Sequence, residues 1–369
     1  MRVMRIITMS CWLITAIALV GLAIWFLTGT VFGYRSDKWN SRGLGVEWFS
    51  GINFGGWERL SGPFETVGTF NYSIININSL NIKWVAGDIT VTPHNGNDIQ
   101  ITEFAQRKLS DSEKMHISES GGTLTIKFRE SIGSFRMPQK RLEVLVPREL
   151  CGSLDGLTVD SVSGAVFLDN IGSDSIKTNT TSGRVSISNS TARVLDVSSA
   201  SGSLTLESAQ ADEIDLNSIS GGIRISDSSA KKIDCDTASG SINISGAFGR
   251  AKLNSVSGRI TLSNSEAHST LVANNTSGSL DISGSFDSVK ADSTSGRTSI
   301  RSLIVPGSLK VGTVSGSIAI TVPNEGSISV NHSSVSGRFS SDIPVVMQNR
   351  NAQFELSSIS GSARILELD

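Results

Sequence analysis

The sequence predicts an all-β protein, a parallel β-solenoid of about 19-residue coils, preceded by one N-terminal transmembrane helix. Three observations predict it. A Ser-Gly dipeptide recurs eleven times at near-constant spacing, apolar residues two apart flank each dipeptide on both sides, and one long stretch near the start carries no charge.

From Ile6 to Tyr34 no side chain is charged. As a helix this stretch is about 43 Å long, more than the ~30 Å of a hydrocarbon core. Arg2 and Arg5 precede it, Arg35, Lys38 and Arg42 follow it, and Trp25, Phe26, Phe32 and Tyr34 stand where an interfacial belt would lie. Residues 1–35 are therefore expected to be a short cytoplasmic head and an uncleaved signal anchor. The membrane is then a partner through this helix, the chain is a single-pass protein of the cell membrane, and its β-domain is extracytoplasmic. A cleaved signal peptide is the competing reading, with Val31-Phe32-Gly33 a passable processing site.

Residues 36–65 read as a linker, with Gly43, Gly45, Gly51, Gly55 and Gly56 interleaved with Trp39, Trp48, Phe49, Phe54 and Trp57. Residues 66–150 read as irregular β-rich first coils and a cap. Leu80, Ile82, Val85, Gly87, Ile89 and Val91 follow the repeat template, with Ala86 in place of its serine, and Met115, Ile117, Gly122, Leu124 and Ile126 follow it again. Asn95-Gly96 is a turn signal of hairpin type. A cap is expected because the open end of a solenoid exposes unpaired strand edges.

Residues 151–369 form the regular array. Its glycines are Gly164, Gly183, Gly202, Gly221, Gly240, Gly258, Gly278, Gly296, Gly316, Gly337 and Gly361, separated by 18 to 24 residues. Seven and five residues before them stand pairs such as Ile176/Thr178 and Leu195/Val197; two and four after them stand pairs such as Val185/Ile187 and Ile223/Ile225. Apolar residues two apart mean strand, with one face buried. Two short strands per unit in strict phase are satisfied when each strand pairs in parallel with its counterpart one unit along. The glycine then supplies a corner conformation that a Cβ disfavours, and the preceding serine stacks into a hydroxyl ladder. Eleven coils at about 4.8 Å make a rod of about 50 Å. The last unit is expected to end the array, with the inserts holding Pro323 and Pro344 folded over it.

Composition narrows the function classes. Lys and Arg number 32 against 34 acidic residues, so no basic surplus exists to neutralise phosphates, and nucleic acid is not expected as a partner. Cys11, Cys151 and Cys235 form no Cys-x-x-Cys pair, and His94, His116, His268 and His332 are scattered, so neither a disulfide framework nor a metal or cofactor site is implied.

Three patterns could carry chemistry. Ser228-Ser229-Ala230-Lys231 matches Ser-x-x-Lys, a chance match in a chain with 63 serines and without the partner motifs of acyl-enzymes. Asp196, Asp215 and Asp234 share an outward register in consecutive coils, and Asp160, Asn179, Asn217, Asp236, Asn254, Asn274 and Asp292 fill the register two further on. A cation between such carboxylates and a solvated outer face are both open readings. Cys235 and His332 fall at core positions, the first as a small hydrophobe and the second as a satisfied polar substitution. No catalytic residues are assigned, and an enzyme is not expected. Carbohydrate-cleaving solenoids need carboxylates in a cleft with aromatic subsites, whereas Val159 to Thr321 holds no Trp or Tyr.

Leu80-Asn-Ile-Lys-Trp-Val-Ala-Gly-Asp-Ile-Thr-Val91, Leu142-Glu-Val-Leu-Val-Pro147 and the Val162-Ser-Gly type of unit resemble the bacterial "putative adhesin" domain family of unknown function, from about residue 66 to the end. The resemblance extends to the membrane-anchored accessory protein of Lia-type envelope-stress operons, which also has one N-terminal span. It implies a membrane-anchored, extracytoplasmic, non-enzymatic solenoid serving as adhesin, cell-envelope scaffold or stress component, with an envelope protein or polysaccharide as partner and self-association as a further expectation. The alternatives are a β-helix enzyme acting on envelope polysaccharide and a polymerising cytoskeletal scaffold on the cytoplasmic face.

Overall fold

The computed structural model describes residues 63–130, 138–346 and 352–368. The chain divides into two units, 1–43 and 44–369, and every described residue belongs to the second. The predicted anchor and nearly all of the linker lie outside the described residues. Among those described, no helix is long and apolar enough to cross a membrane.

The described chain is all-β, with one short 3-10 turn at Asp111–Glu113. From Leu154 onward each coil holds a long and a short β-segment, which run on into one another in Ile223–Thr237 and Ile242–Ser257. Ile176 of Gly172–Thr180 lies between Leu157 and Leu195, one coil behind and one ahead, and Val185 of Val185–Ser188 lies between Val166 and Leu204. All these pairings are parallel and in register, and the same pattern still places Leu309 beside Val289. Alternation puts Leu157, Ile176, Leu195, Ile214 and Ile233 inside, each fully buried, in one continuous apolar core.

The glycine corner is set both by its own dihedrals and by its neighbour: Gly164, Gly258, Gly278, Gly296 and Gly361 adopt positive φ, of 121°, 156°, 133°, 126° and 139°. Gly183, Gly202, Gly221 and Gly240 do not adopt left-handed φ, yet a Cβ on any of them would come within 1.7–2.2 Å of the carbonyl oxygen of the glycine one coil before. Coils 4.8 Å apart leave no room there for a methyl group. Further positive-φ positions lie six residues on from Gly164, Gly183, Gly202 and Gly221, at Asn170, Asn189, Ser208 and Asp227, where short polar side chains tolerate this conformation.

The expected serine ladder is also relocated. The hydroxyls that organise the corner belong to the residue three before the glycine. Thr180 Oγ1, Ser199 Oγ and Ser218 Oγ accept from the amides of Gly183, Gly202 and Gly221 at 3.0, 2.8 and 2.8 Å. These side chains face inward and are buried. By contrast, Ser182 and Ser220, immediately before the glycine, turn back to carbonyls of the previous coil. Removing a buried acceptor strands its donor, which costs about 1–3 kcal/mol. Ser218→Ala is expected to lose that much stability and to speed hydrogen exchange at the Gly221 amide, while Ser220→Ala leaves that amide unchanged.

At both ends the spatial order of coils departs from chain order. The strands Ser79–Ala86 and Ile89–His94 sit directly on the first regular coil, with Leu80 beside Leu157 and Ile89 beside Val166. The strands that follow them in sequence, Thr123–Lys127 and Lys140–Pro147, stack on their other side. Beyond these the sheet turns antiparallel. His116–Ser120 covers Thr123–Lys127, Asp98–Ala105 covers Lys140–Pro147, and Glu65–Ser73 covers Asp98–Ala105.

Two expectations are thereby corrected. Gly122 lies in a hairpin turn between antiparallel strands, with φ of 77° there and 56° at Gly121, and is not a coil corner. Asn95-Gly96 does turn the chain, but the strands it joins are separated by Lys140–Pro147 and form no hairpin. At the far end, Gln353–Ser360 pairs with Ser308–Ser315 on one side and Ile328–Ser336 on the other. The last unit in sequence is thus inserted, and the Gly337 coil, not the Gly361 coil, ends the array.

Candidate binding surface

Where the short strand bends back into the next long one, small side chains leave the outer surface low. Ala192, Ala211 and Ala230 stand side by side on three successive coils. Around them Thr191, Gln210, Asp212, Ser229, Lys231, Ala247, Gly249 and Glu266 line a shallow, open groove of about 600 Å³. Charges on its rim pair from one coil to the next. Lys231 Nζ meets Asp212 at 2.8 Å, and beside the groove Lys232 meets Glu213 at 2.5 Å and Arg193 meets Asp174 at 2.8 Å. In-register stacking makes this possible, because residues about 19 apart become neighbours and opposite charges in one column attract. The groove thus offers both signs of charge and small apolar patches on a floor that the ladder holds rigid.

The Ser-x-x-Lys match lies along this groove without forming a reactive pair. Ser228 is buried, and its hydroxyl donates to Ser226 O at 2.8 Å while accepting from the Ala209 amide at 3.0 Å. Lys231 points outward to Asp212.

The outward aspartates are in the expected register but are not solvated. Asp196, Asp215 and Asp234 are 9%, 4% and 5% exposed. Their short carboxylates sit among longer neighbours. Asn217 Nδ2 donates to Asp215 at 2.7 Å, and Lys252 Nζ lies 3.3 Å from Asp234. In the next register, Asn179 donates to Asp160 at 2.8 Å and Asn254 to Asp236 at 2.5 Å, so amide-to-carboxylate bonds separate what would otherwise be adjacent charges. Burial raises the Asp160 carboxyl above its usual range, with the Asn179 bond opposing. Among the described residues no three His, Cys, Asp or Glu side chains converge as a metal site.

Cys235 is fully buried at its core position, and burial pushes its thiol well above the usual range. His332 is inward in the Gly337 coil, stacked on Phe339 at 5.2 Å. Its Nε2 is buried without a hydrogen-bond partner, so it is not the satisfied substitution expected from sequence.

The most concentrated buried chemistry was not anticipated. Lys140 is fully buried, and its ammonium donates to Glu103 Oε1 at 2.6 Å, to Phe128 O at 2.6 Å and to Glu113 O. It also lies 4.1 Å from the Phe128 ring centre and 5.5 Å from that of Trp84. Glu103 in turn accepts from the Met115 amide at 3.0 Å. A sequence signal exists: Lys140 shares the inward phase of Leu142, Val144 and Val146. This group ties four segments of the cap together, through Glu103, Glu113 with Met115, Phe128 and Lys140.

The Toastrack DUF4097 family model matches residues 77–302 and 247–365. No curated protein matches the chain. Among solved structures, the chain is similar to a "putative adhesin" from Parabacteroides distasonis ATCC 8503, at 13% identity over 82% of this chain and 98% of that one, with a TM-score of 0.40. It is also similar to a "putative adhesin" from Parabacteroides merdae ATCC 43184, at 12% identity over 84% and 99%, TM-score 0.37. A "putative lipid binding protein" from P. distasonis ATCC 8503 follows at 16% identity over 84% and 98%, TM-score 0.36.

Proposed function

From the premise that the chain belongs to the Toastrack DUF4097 family, we propose that it is a membrane-anchored, non-enzymatic scaffold of the cell envelope. The helix at residues 1–35 would hold it in the cytoplasmic membrane and the solenoid would project outside, as an adhesin-like or envelope-stress component in the manner of the Lia-type accessory proteins. The observation that carries this reading is the groove along Ala192, Ala211 and Ala230, whose rim carries the Lys231–Asp212 pair from one coil to the next. Such a surface grips an extended envelope polymer or a partner protein along the rod axis through shape and fixed charge.

Protease shaving of intact cells tests the topology: digestion of the solenoid is expected, and full protection would overturn it. Sedimentation with purified cell-wall glycan and with membrane-stripped envelope protein tests the groove. Lys231→Glu paired with Ala211→Arg is expected to weaken retention at least about tenfold, the effect of roughly 1.4 kcal/mol. Unchanged retention, or cleavage of the glycan by the wild type, would sink the proposal.

A further inference from the structure

The charges of the solenoid are sorted by face. Around the groove and on the long strands several are paired between coils, as in Lys231–Asp212, Lys252–Asp234 and Lys310–Glu355. The outward face of the short strands, one, three and five residues after each glycine, is built otherwise. From the Gly183 coil to the Gly361 coil it carries six exposed arginines, Arg184, Arg224, Arg259, Arg297, Arg301 and Arg364. Over that length these positions hold no lysine and no aromatic ring, and their acids are Glu207 and Asp281. Asp281 lies 3.7 Å from Arg259, while the other five arginines have no ion-pair partner among the described residues. The chain as a whole has no basic surplus, with 32 basic against 34 acidic residues, but stacking places a local one here.

The ladder register sets the spacing of the arginines. Arg224 lies between Thr205 and Asn243, Arg301 between Ser283 and Thr321, and Arg364 between Ala319 and Ser340. Arg184, Arg259 and Arg297 immediately precede strands whose first residues, Val185, Ile260 and Thr298, face inward. In the order in which the coils stack, arginines thus recur on every second coil, about 10 Å apart, over about 40 Å of rod. Arg338 follows on the last coil. At a separation of about 10 Å salt screens the repulsion between neighbouring guanidinium groups, so the row persists without acids to neutralise it.

We propose that the short-strand face binds a linear polyanion, a polymer bearing phosphate or carboxylate groups, laid along the rod axis. A guanidinium matches either group with paired N–H donors and is more weakly hydrated than an ammonium, so exposed arginines without partners readily exchange water for oxyanions. A polymer with an anionic group at least every 10 Å or so, the height of two coils, meets each arginine in turn. The face has no aromatic ring on which a sugar or base could stack, so charge selects the polymer. The row shares no residue with the groove along Ala192, Ala211 and Ala230 and does not depend on what that groove holds.

Fluorescence anisotropy of the full chain in non-ionic detergent, with end-labelled polyphosphate and polygalacturonate at a series of salt concentrations, tests this. Binding of at least one polymer is expected, its log affinity falling linearly with log salt as counterions are released. A polymer that spans the row should bind at least about tenfold tighter than tripolyphosphate or digalacturonate, because each further contact forms at high effective concentration. Arg224→Gln with Arg297→Gln, at exposed positions, should weaken binding at least about tenfold and make the salt slope shallower by about two, with circular dichroism and Tm unchanged. Lys231→Glu, in the groove, should leave affinity and slope as they are. Binding of polyphosphate alone assigns the row to phosphate polymers, and binding of polygalacturonate alone assigns it to carboxylate polymers. No binding of either at low salt, equal affinity for long and short chains, or wild-type binding by the arginine variant would each overturn the proposal. Tighter binding of single-stranded DNA of equal length than of both polymers would also overturn it. Loss of binding in Lys231→Glu but not in the arginine variant would move the contact to the groove and reject it here.

Discussion

Gly221→Val is expected to lower Tm by about 10 °C and to split the unfolding transition, whereas Gly222→Ala one residue away should change Tm by no more than a degree or two. The contrast rests on space. At Gly221 a Cβ would stand 1.9 Å from the carbonyl oxygen of Gly202 and 2.6 Å from its carbon. Both are main-chain atoms, so relief requires the two coils to part and their ladder to open. At Gly222 the nearest atom is the Ser241 oxygen at 3.6 Å, an ordinary contact. Overpacking in a well-filled interior costs about 1–3 kcal/mol, and broken ladder bonds add to it. One kcal/mol corresponds to about 2–4 °C in a domain of 150–250 residues, which gives the expected shift. Coils of a repeat array are stabilised mainly by their neighbours, so a lesion at the middle should separate the melting of the two halves. Scanning calorimetry checks both points, and equal Tm values for the two variants would remove steric exclusion as the reason for glycine at this corner.

Lys140→Ala is expected to destabilise the protein by about 3–5 kcal/mol, because it leaves Glu103 charged and buried without its partner. Lys140→Met with Glu103→Leu removes both charges and should recover most of the loss, giving a large coupling energy in the double-mutant cycle. Burial lowers the ammonium to about 8, against the opposing pull of Glu103. In the unfolded chain a lysine titrates near 10.4. Between those values the unfolded chain holds a proton that the folded protein has released, so this group's contribution to stability rises with pH across about 8 to 10.5. Urea titrations of the wild type and of the double variant over that range should differ in slope. Parallel curves would show that Lys140 keeps its proton throughout.

The repeat was legible because its information is local. Apolar residues two apart name the inward face, and equal steps between glycines name the coil, so the pairing of Ile176 with Leu157 and Leu195 follows from counting. The reason for the glycine was half legible: the expected φ requirement holds at Gly164, Gly258, Gly278, Gly296 and Gly361, while at every regular corner one coil's carbonyl also blocks the next coil's Cβ. The buried hydroxyl at Ser199, Ser218 and Thr180 was equally present in the sequence, three residues before each glycine. The serine next to the glycine, present in all eleven units, is the more conspicuous signal and masks it. The groove could not be read at all, since its floor joins Ala192, Ala211 and Ala230 only once the coils are stacked, and alanine alone announces nothing.

By itself, then, the sequence determined that this chain forms parallel in-register coils and which residues face inward. Each of these depends on a period set by covalent geometry. Only the tertiary structure decided which coils are neighbours at the ends, where the Gly87 coil slips inside its successor and the Gly361 coil slips inside the Gly337 coil. Coils built to one template can stack on one another in any order. The order adopted is therefore settled by how the ends close over the core, a property of the whole assembly that no local pattern encodes.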